Sequence, residues 1–442
     1  MRLAWTSHPV LSFQGVVRAP GDKSCSHRAL MFAGLADGTS EISGLLEGQD
    51  VINTALAMAA LGATVEQTGP GKWMVSGVGE AGLRSPAGDI DFGNSGTGSR
   101  LMIGLMAGYP LTARLVGDAS LSKRPMNRVL KPLERMGARF DHDGGGMLPL
   151  TLHGSAALSA IDFEPEQASA QVKSCILLAG LNANGTTTVT ESRPTRDHTE
   201  KMLRGFGVKL STRPAGGTRQ TVSIEGGQTL TPVDTVIPGD PSSTAFLIAG
   251  ALISPSGGVV VENVMSNETR DGFFQAAAMM GAGLGAEEIG DAAGERLVDL
   301  QAASASLKGR AIPERLVASM IDEFPILSVL AAFAEGETVV TGAEELRVKE
   351  SDRIAAVVAM MRVNGVEVEE RADGFVVQGC GGPPPGGGLV ETHHDHRIAM
   401  SALVMGTATQ KPVSIDDPGM IATSYPDFMA HMEQLGADIR AG

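Results

Sequence analysis

Along the 442-residue chain, apolar and polar positions fall into a pattern that repeats. An apolar, helix-like stretch ends in a glycine followed by a short strand-like run, and this phrase occurs six times. It reads "AMAALGATV" at Gly62, "LERMGARF" at Gly137, "LRGFGVKL" at Gly207, "AAMMGAGLG" at Gly281, "MMRVNGVEV" at Gly365 and "MEQLGADI" at Gly436. Successive glycines are 75, 70, 74, 84 and 71 residues apart, so the chain divides into six units of about 74 residues. Each glycine suits the left-handed position that follows a helix C-terminus.

Inside a unit the order of elements is constant. A polar cluster opens a helix of small apolar residues, as in "SGTGSRLMIGLMAG" and "DHRIAMSALVMG". A β-rich run such as "GTTTVTE" or "GETVVTG" follows, and a second polar cluster then opens an amphipathic helix, as in "PTRDHTEKMLRGFG". The expected fold is therefore α/β, built from βαβαββ-type repeats, three in each of two domains. Pro-Gly-Asp occurs twice before a run of small apolar residues, at Pro20-Gly21-Asp22 and at Pro238-Gly239-Asp240, and marks where the chain passes into each half. The expected first domain is 21–239 and the second is 240–442 together with 1–20. The two crossings are the expected hinge.

Composition adds limits. Hydrophobic residues make up 43% and charged residues 19%, and the 57 glycines against 4% aromatics favour small-residue packing and tight turns. No apolar run approaches the length of about 18 residues that a membrane helix needs, and "MRLAWTSHPVLSF" lacks the apolar centre of a signal peptide. Cys25, Cys175 and Cys380 form no framework and no CxxC pair, which points to a reducing cytoplasm. A net charge of -15 argues against nucleic acid as a partner. It leaves room for a small anion, because a local group of cations can dominate the field in a cleft.

The polar clusters are where chemistry is expected. Lys23, Ser24 and Arg28, then Asn94, Thr97 and Arg100, then Ser169 and Gln171, Asp322 and Arg397 all stand where a first helix begins. Lys123, Arg124, Arg196, Lys349, Glu350 and Arg353 stand where a second helix begins. Capping accounts for Ser, Thr, Asn and Asp at such places. Lys and Arg oppose the helix dipole there, and make sense if a strongly negative ligand lies between them. In "RVKESDR", helical spacing puts Lys349 and Arg353 on one face with Glu350 beside them; a salt-bridged surface helix gives the same pattern. Asp322 and Glu323 in "SMIDEFP" stand at the mouth of a strongly apolar helix, and either reads equally as its N-cap. "HHDHR" at His393 to Arg397 suggests a metal, but no second ligand cluster accompanies it.

Taken together, "PGDKSCSHR", "GNSGTGSR", "GDASLSKRPM", "ASAQVKS", "TRDHTEKM", "DEFPILSVLAAFAEG", "ELRVKESDR" and "DHRIAM" resemble the signatures of the 5-enolpyruvylshikimate-3-phosphate synthases, in order along nearly the whole chain. The wording of "SAQVKS", "TRDHTEKM" and "ATSYPDF" is similar to the bacterial class II branch. The resemblance implies two inverse α/β barrel domains with the active site in the cleft between them. It also implies transfer of the enolpyruvyl group of phosphoenolpyruvate to the 5-hydroxyl of shikimate 3-phosphate, with release of phosphate and without metal or redox cofactor. The implied setting is chorismate and aromatic amino acid biosynthesis by a cytoplasmic monomer.

By the same resemblance, Lys23 touches both substrates, and Ser24, Arg28, Ser169, Ala170, Gln171, Arg196 and Lys349 hold shikimate 3-phosphate. Gln171, Arg124, Arg353 and Arg397 hold phosphoenolpyruvate, a task suited to guanidinium forks. Asp322 is the implied base on the 5-hydroxyl and Glu350 the implied partner in proton exchange at C3. Gly96 borders the phosphoenolpyruvate site, where glyphosate competes and where some family members carry alanine. Two positions depart from the common pattern: Cys25 replaces a branched apolar residue, and Thr423 replaces a lysine, as in the class II branch. Alternatives are a UDP-N-acetylglucosamine enolpyruvyl transferase, which needs a loop cysteine, and a non-enzymatic repeat scaffold.

Overall fold

A computed structural model describes residues 4–442; the first three residues of the opening stretch lie outside the described part. The chain forms two compact units. One comprises Gly21–Ile237 with Ala292–Gly294, and the other Met1–Pro20, Pro238–Asp291 and Glu295–Gly442.

Six small sheets carry the repeats, three in each unit. In the second repeat, Ile90–Asp91 runs parallel to Thr112–Val116, which pairs antiparallel with Leu150–His153 and through it with Arg139–Asp141. The third repeat has the same order, from Asp162–Phe163 through Thr186–Glu191 and Gln220–Glu225 to Leu210–Pro214. The first repeat borrows its parallel strand: Thr235–Val236 lies beside Thr39–Ser43. The fourth likewise takes Phe13–Arg18, parallel to Gly257–Ser266. In the fifth, isolated parallel bridges at Lys308 and Ala311 stand in for a full strand. The sixth is completed by Trp5–His8, inserted between Val413–Ile415 and Asp438–Ala441.

The six phrase-ending glycines all have positive φ, from 76° at Gly365 to 118° at Gly62, and each is followed within three residues by a strand. Such a φ costs an L side chain strain that glycine avoids.

In each unit, the first helices of the three repeats make up the centre. Pro241–Ile253, Phe324–Phe333 and His396–Gly406 are buried along their whole length. Lys23–Leu35 is buried from Cys25 onward. Burying helices on every side requires small residues at the crossings. At Gly104, on Gly96–Ala107, an added Cβ would lie 2.2 Å from the carbonyl oxygen of Cys175 on Ala170–Gly180. The glycines of the two Pro-Gly-Asp triplets are equally confined: a Cβ at Gly21 would stand 2.1 Å from Gly44 O, and one at Gly239 2.3 Å from Asn263 O. The second helices, such as Asn127–Met136 and Arg353–Val363, lie outside with one apolar face inward. No helix among the described residues is long and apolar enough to cross a membrane.

Candidate active site

In the unit Gly21–Ile237, the polar clusters sit at the N-termini of the three central helices. Asp22 caps Lys23–Leu35, its carboxylate accepting the Cys25 N–H at 2.7 Å. The cap sets Lys23 at the first helical position, where Nζ lies 2.5 Å from Asp50 Oδ2. Arg28, one turn further, is only 3% exposed. Its Nε donates to Thr199 Oγ1 at 2.7 Å, Nη1 to Ser24 O at 2.9 Å and Nη2 to Ser174 Oγ at 3.0 Å. All three acceptors are uncharged, so the orienting bonds leave the positive charge unneutralised. Burial holds this guanidinium below its ordinary pKa, though Glu200 and Asp22 pull it upward. His27 is buried against Thr54 Oγ1 at 2.8 Å. Burial first, then Lys23 and Arg28, push its pKa down to about 3, so the ring is neutral.

Ser95 caps the next helix by accepting from Gly98 N at 3.0 Å. Arg100 reaches from that helix to Gln171 Oε1 at 2.9 Å, and Gln171 Nε2 donates to Thr97 Oγ1 at 3.0 Å. Arg124 follows a single 3₁₀ turn and is braced by Asn94 Oδ1 at 2.6 Å and Ser120 Oγ at 3.2 Å. Gly96 faces both cations: a Cβ there would lie 3.0 Å from Arg100 Nη1 and 3.1 Å from Arg124 Nη1. Ser169, at the N-cap of Ala170–Gly180, does not use its hydroxyl for capping. Arg196 lies just ahead of His198–Gly205, close enough to Arg28 for their like charges to interact.

In the other unit the centre is Arg353, fully buried. Its Nε donates to Asp395 Oδ2 at 2.8 Å, Nη1 to Asp322 Oδ1 at 3.1 Å and Nη2 to Glu350 Oε2. Burial alone would lower its pKa, but Asp395, Glu350 and Asp322 outweigh that and raise it. Three of its five N–H groups are used, and one remains on each Nη. Asp395 caps His396–Gly406 by accepting Arg397 N–H at 2.9 Å, and also accepts from Ser351 Oγ at 3.0 Å. Burial works to raise its pKa, yet Arg353 prevails and holds the carboxyl below the usual range. Arg397 has a longer ion pair, 3.8 Å from Nη1 to Glu323 Oε1. Lys349 pairs with Glu345 at 3.2 Å.

The structure corrects part of the sequence reading. Lys349 and Glu350 do not share a helix with Arg353. Asp352 caps that helix by accepting from Ala355 N at 3.0 Å, so the helix starts at Arg353 and residues 349–351 form a turn before it. Glu350 reaches Arg353 from that turn. Of the two acids that could cap Phe324–Phe333, Glu323 holds the N-cap position, without a side-chain cap bond, and Asp322 turns to Arg353. The His393–His396 cluster does not converge on a common point, since His394 faces Asp417 at 3.6 Å while Asp395 faces Arg353. Thr423, where a lysine is common, spends its hydroxyl on Met420 O at 2.7 Å. Cys25 and Cys175 are buried and Cys380 ends the strand Gly374–Cys380, which removes the loop cysteine that the UDP-N-acetylglucosamine reading requires. Asp395 was legible only as a member of "DHRIAM"; an Asp two residues before a buried Arg was the available signal.

Comparison with known proteins agrees with this geometry. The EPSP synthase (3-phosphoshikimate 1-carboxyvinyltransferase) family profile matches residues 8–432. A 3-phosphoshikimate 1-carboxyvinyltransferase of Hyphomonas neptunium is 68% identical over 439 residues, covering 99% of this chain and 100% of its own. The enzyme of that name from Methylorubrum populi is 50% identical, covering 99% and 97%. A solved EPSP synthase of Acinetobacter baumannii superposes with a TM-score of 0.87 at 42% identity, covering 100% of both chains. Two domains of βαβαββ repeats, the helix-start cations and the full-length match lead to one statement: the chain belongs to the EPSP synthase family and has its enolpyruvyl transferase fold.

Proposed function

We propose that this chain transfers the enolpyruvyl group of phosphoenolpyruvate to the 5-hydroxyl of shikimate 3-phosphate, releasing phosphate. Family membership supports the reaction. The observation that supports the proton chemistry is the single guanidinium of Arg353, which holds Asp322 and Glu350 on its two Nη atoms.

In the reading we favour, Lys23, Ser24, Arg28, Ser169, Ala170, Gln171, Arg196 and Lys349 bind shikimate 3-phosphate. Lys23, Gly96, Arg124, Gln171, Arg353 and Arg397 bind phosphoenolpyruvate, Gly96 by leaving room beside Arg124. The 5-hydroxyl attacks C2 of phosphoenolpyruvate and gives its proton to Asp322, while C3 receives a proton from Glu350. In the second step the C2–O bond to phosphate breaks, phosphate departs with the electron pair, and C3 returns a proton to Glu350. Cations near the leaving group stabilise the charge that develops there. Two carboxyl groups tied to one guanidinium keep a fixed spacing, which suits an ionised acceptor, Asp322, and a protonated donor, Glu350, acting on either side of C2. Arg353 still has one N–H on each Nη for an anion, so it can orient the acids and meet the substrate together.

Free cysteines and the lack of a CxxC pair favour the reducing cytoplasm, and a single chain holds every residue invoked. The test is phosphate release on mixing the protein with phosphoenolpyruvate and shikimate 3-phosphate, with UDP-N-acetylglucosamine as control acceptor. Release with the control, or none with shikimate 3-phosphate, refutes the proposal.

A further inference from the structure

One fully buried lysine has no part in the chemistry above. Lys173 lies on the central helix Ala170–Gly180, just ahead of the apolar run "CILLAG". Its Nζ is 2.9 Å from Glu191 Oε2, 2.7 Å from Glu200 Oε1 and 3.3 Å from Thr195 O, and both carboxylates are buried. Thr195 donates its hydroxyl to Glu191, which ties the loop leading to Arg196 into the same cluster. Burial works against the charge on Lys173, but Glu200 and Glu191 outweigh it and raise the pKa, so the ammonium form is retained.

The cluster lies next to Arg28 through two pairs of consecutive residues. Ser174 and Thr199 are bonded to Arg28 and to each other, at 2.8 Å between their hydroxyls. Their chain neighbours, Lys173 and Glu200, form the ion pair. Lys173, Arg28, Glu191 and Glu200 together carry two positive and two negative charges in the interior. Glu200 is felt by Arg28 as well as by Lys173, yet its direct ion pair is with Lys173 and the acceptors of Arg28 are all neutral. An interior carboxylate seeks a cation strongly. Without Lys173, Arg28 is the cation left to satisfy Glu200.

We propose that Lys173 is a positioning residue for shikimate 3-phosphate: by holding Glu200 it keeps Arg28 in its neutral cradle, with its charge available to the substrate. The inference rests on the function proposed above. It is tested by calorimetric binding of shikimate 3-phosphate and by KM for both substrates, in the wild type, Lys173→Met and Lys173→Met/Glu200→Gln.

The expected result for Lys173→Met is binding of shikimate 3-phosphate weakened roughly 10- to 100-fold, the scale of coupling within one buried charge network. KM for phosphoenolpyruvate changes less than about threefold. The double variant removes the competing carboxylate and recovers most of the binding, a rescue that a purely structural role of Lys173 does not produce. A folded Lys173→Met that binds shikimate 3-phosphate normally, or that loses both substrates equally, overturns the proposal. If the single variant does not fold, the double variant decides alone: near-normal binding supports the proposal, and weak binding or failure to fold overturns it. A wild type that does not bind shikimate 3-phosphate at all refutes the proposed function instead.

Discussion

Replacing Asp322 by Asn separates the chemical role of this residue from its structural one. Asn keeps an oxygen able to accept from Arg353 Nη1, now at 3.1 Å, and occupies almost the same volume. What changes is one negative charge, on a side chain 17% exposed. At an effective dielectric of about 20, a contact ion pair is worth about 4 kcal/mol. Here the gain is opposed by repulsion from Glu350 and Asp395, which crowd the same guanidinium. The net effect on stability is therefore small, about 1 kcal/mol, with Arg353 still holding two carboxylates. Loss of a general base costs about 10²- to 10⁴-fold in rate, or roughly 3–5 kcal/mol in the transition state. The expected variant has a near-normal Tm, binds shikimate 3-phosphate within about threefold of wild type, and releases phosphate at least 10²-fold more slowly. Single-turnover phosphate release with both substrates saturating measures this directly. Near-normal turnover in a folded variant would refute the assignment of Asp322 as base.

Three further outcomes are expected. His27 is held neutral with a pKa of about 3 against an unfolded value near 6.5, so the unfolded chain binds the extra proton first. Its contribution is complete above about pH 6.5 and is lost progressively down to pH 3, the loss reaching about 2 kcal/mol at pH 5. Denaturant titrations of His27→Gln should show a flatter acid limb, and an equal slope would contradict the burial argument. Gly96→Ala places a methyl 3.0–3.1 Å from the Arg100 and Arg124 guanidiniums, which must shift by a few tenths of an ångström. The ratio of the glyphosate inhibition constant to the phosphoenolpyruvate KM should rise, since the longer anion is crowded first; a constant or falling ratio rejects the steric account. Gly104→Ala drives a Cβ to 2.2 Å from the Cys175 carbonyl, and the two helices must part. Thermal unfolding should show a loss of about 3 kcal/mol, and an unchanged Tm would mean that this crossing is looser than described.

The repeat was legible because it depends on local chemistry. A glycine at positive φ after each apolar helix has no good substitute, so Gly62, Gly137, Gly207, Gly281, Gly365 and Gly436 show it directly. The cations at helix starts were legible for the same reason, since dipole and charge conflict there. The arrangement around Arg353 was not, because Asp322, Glu350 and Asp395 come from three separate segments and only packing brings them to one guanidinium. Lys349 and Glu350 were misread as helical because spacing alone does not reveal that Asp352 caps the helix. Lys173 was hidden just ahead of an apolar run, with partners 18 and 27 residues further along.

The borrowed strands have a consequence for biosynthesis. The unit Gly21–Ile237 is one continuous stretch apart from Ala292–Gly294, and its last sheet is completed by Thr235–Val236. It can close while the remainder of the chain is still on the ribosome, since domains fold as units during synthesis. The other unit cannot, because Trp5–His8 is translated about 430 residues ahead of its partner Asp438–Ala441. That strand, and Phe13–Arg18 with it, wait with unpaired edges until segments more than 200 residues downstream have been made. These two strands are thus made long before they find their place, and it is there that a nascent-chain chaperone has most to protect.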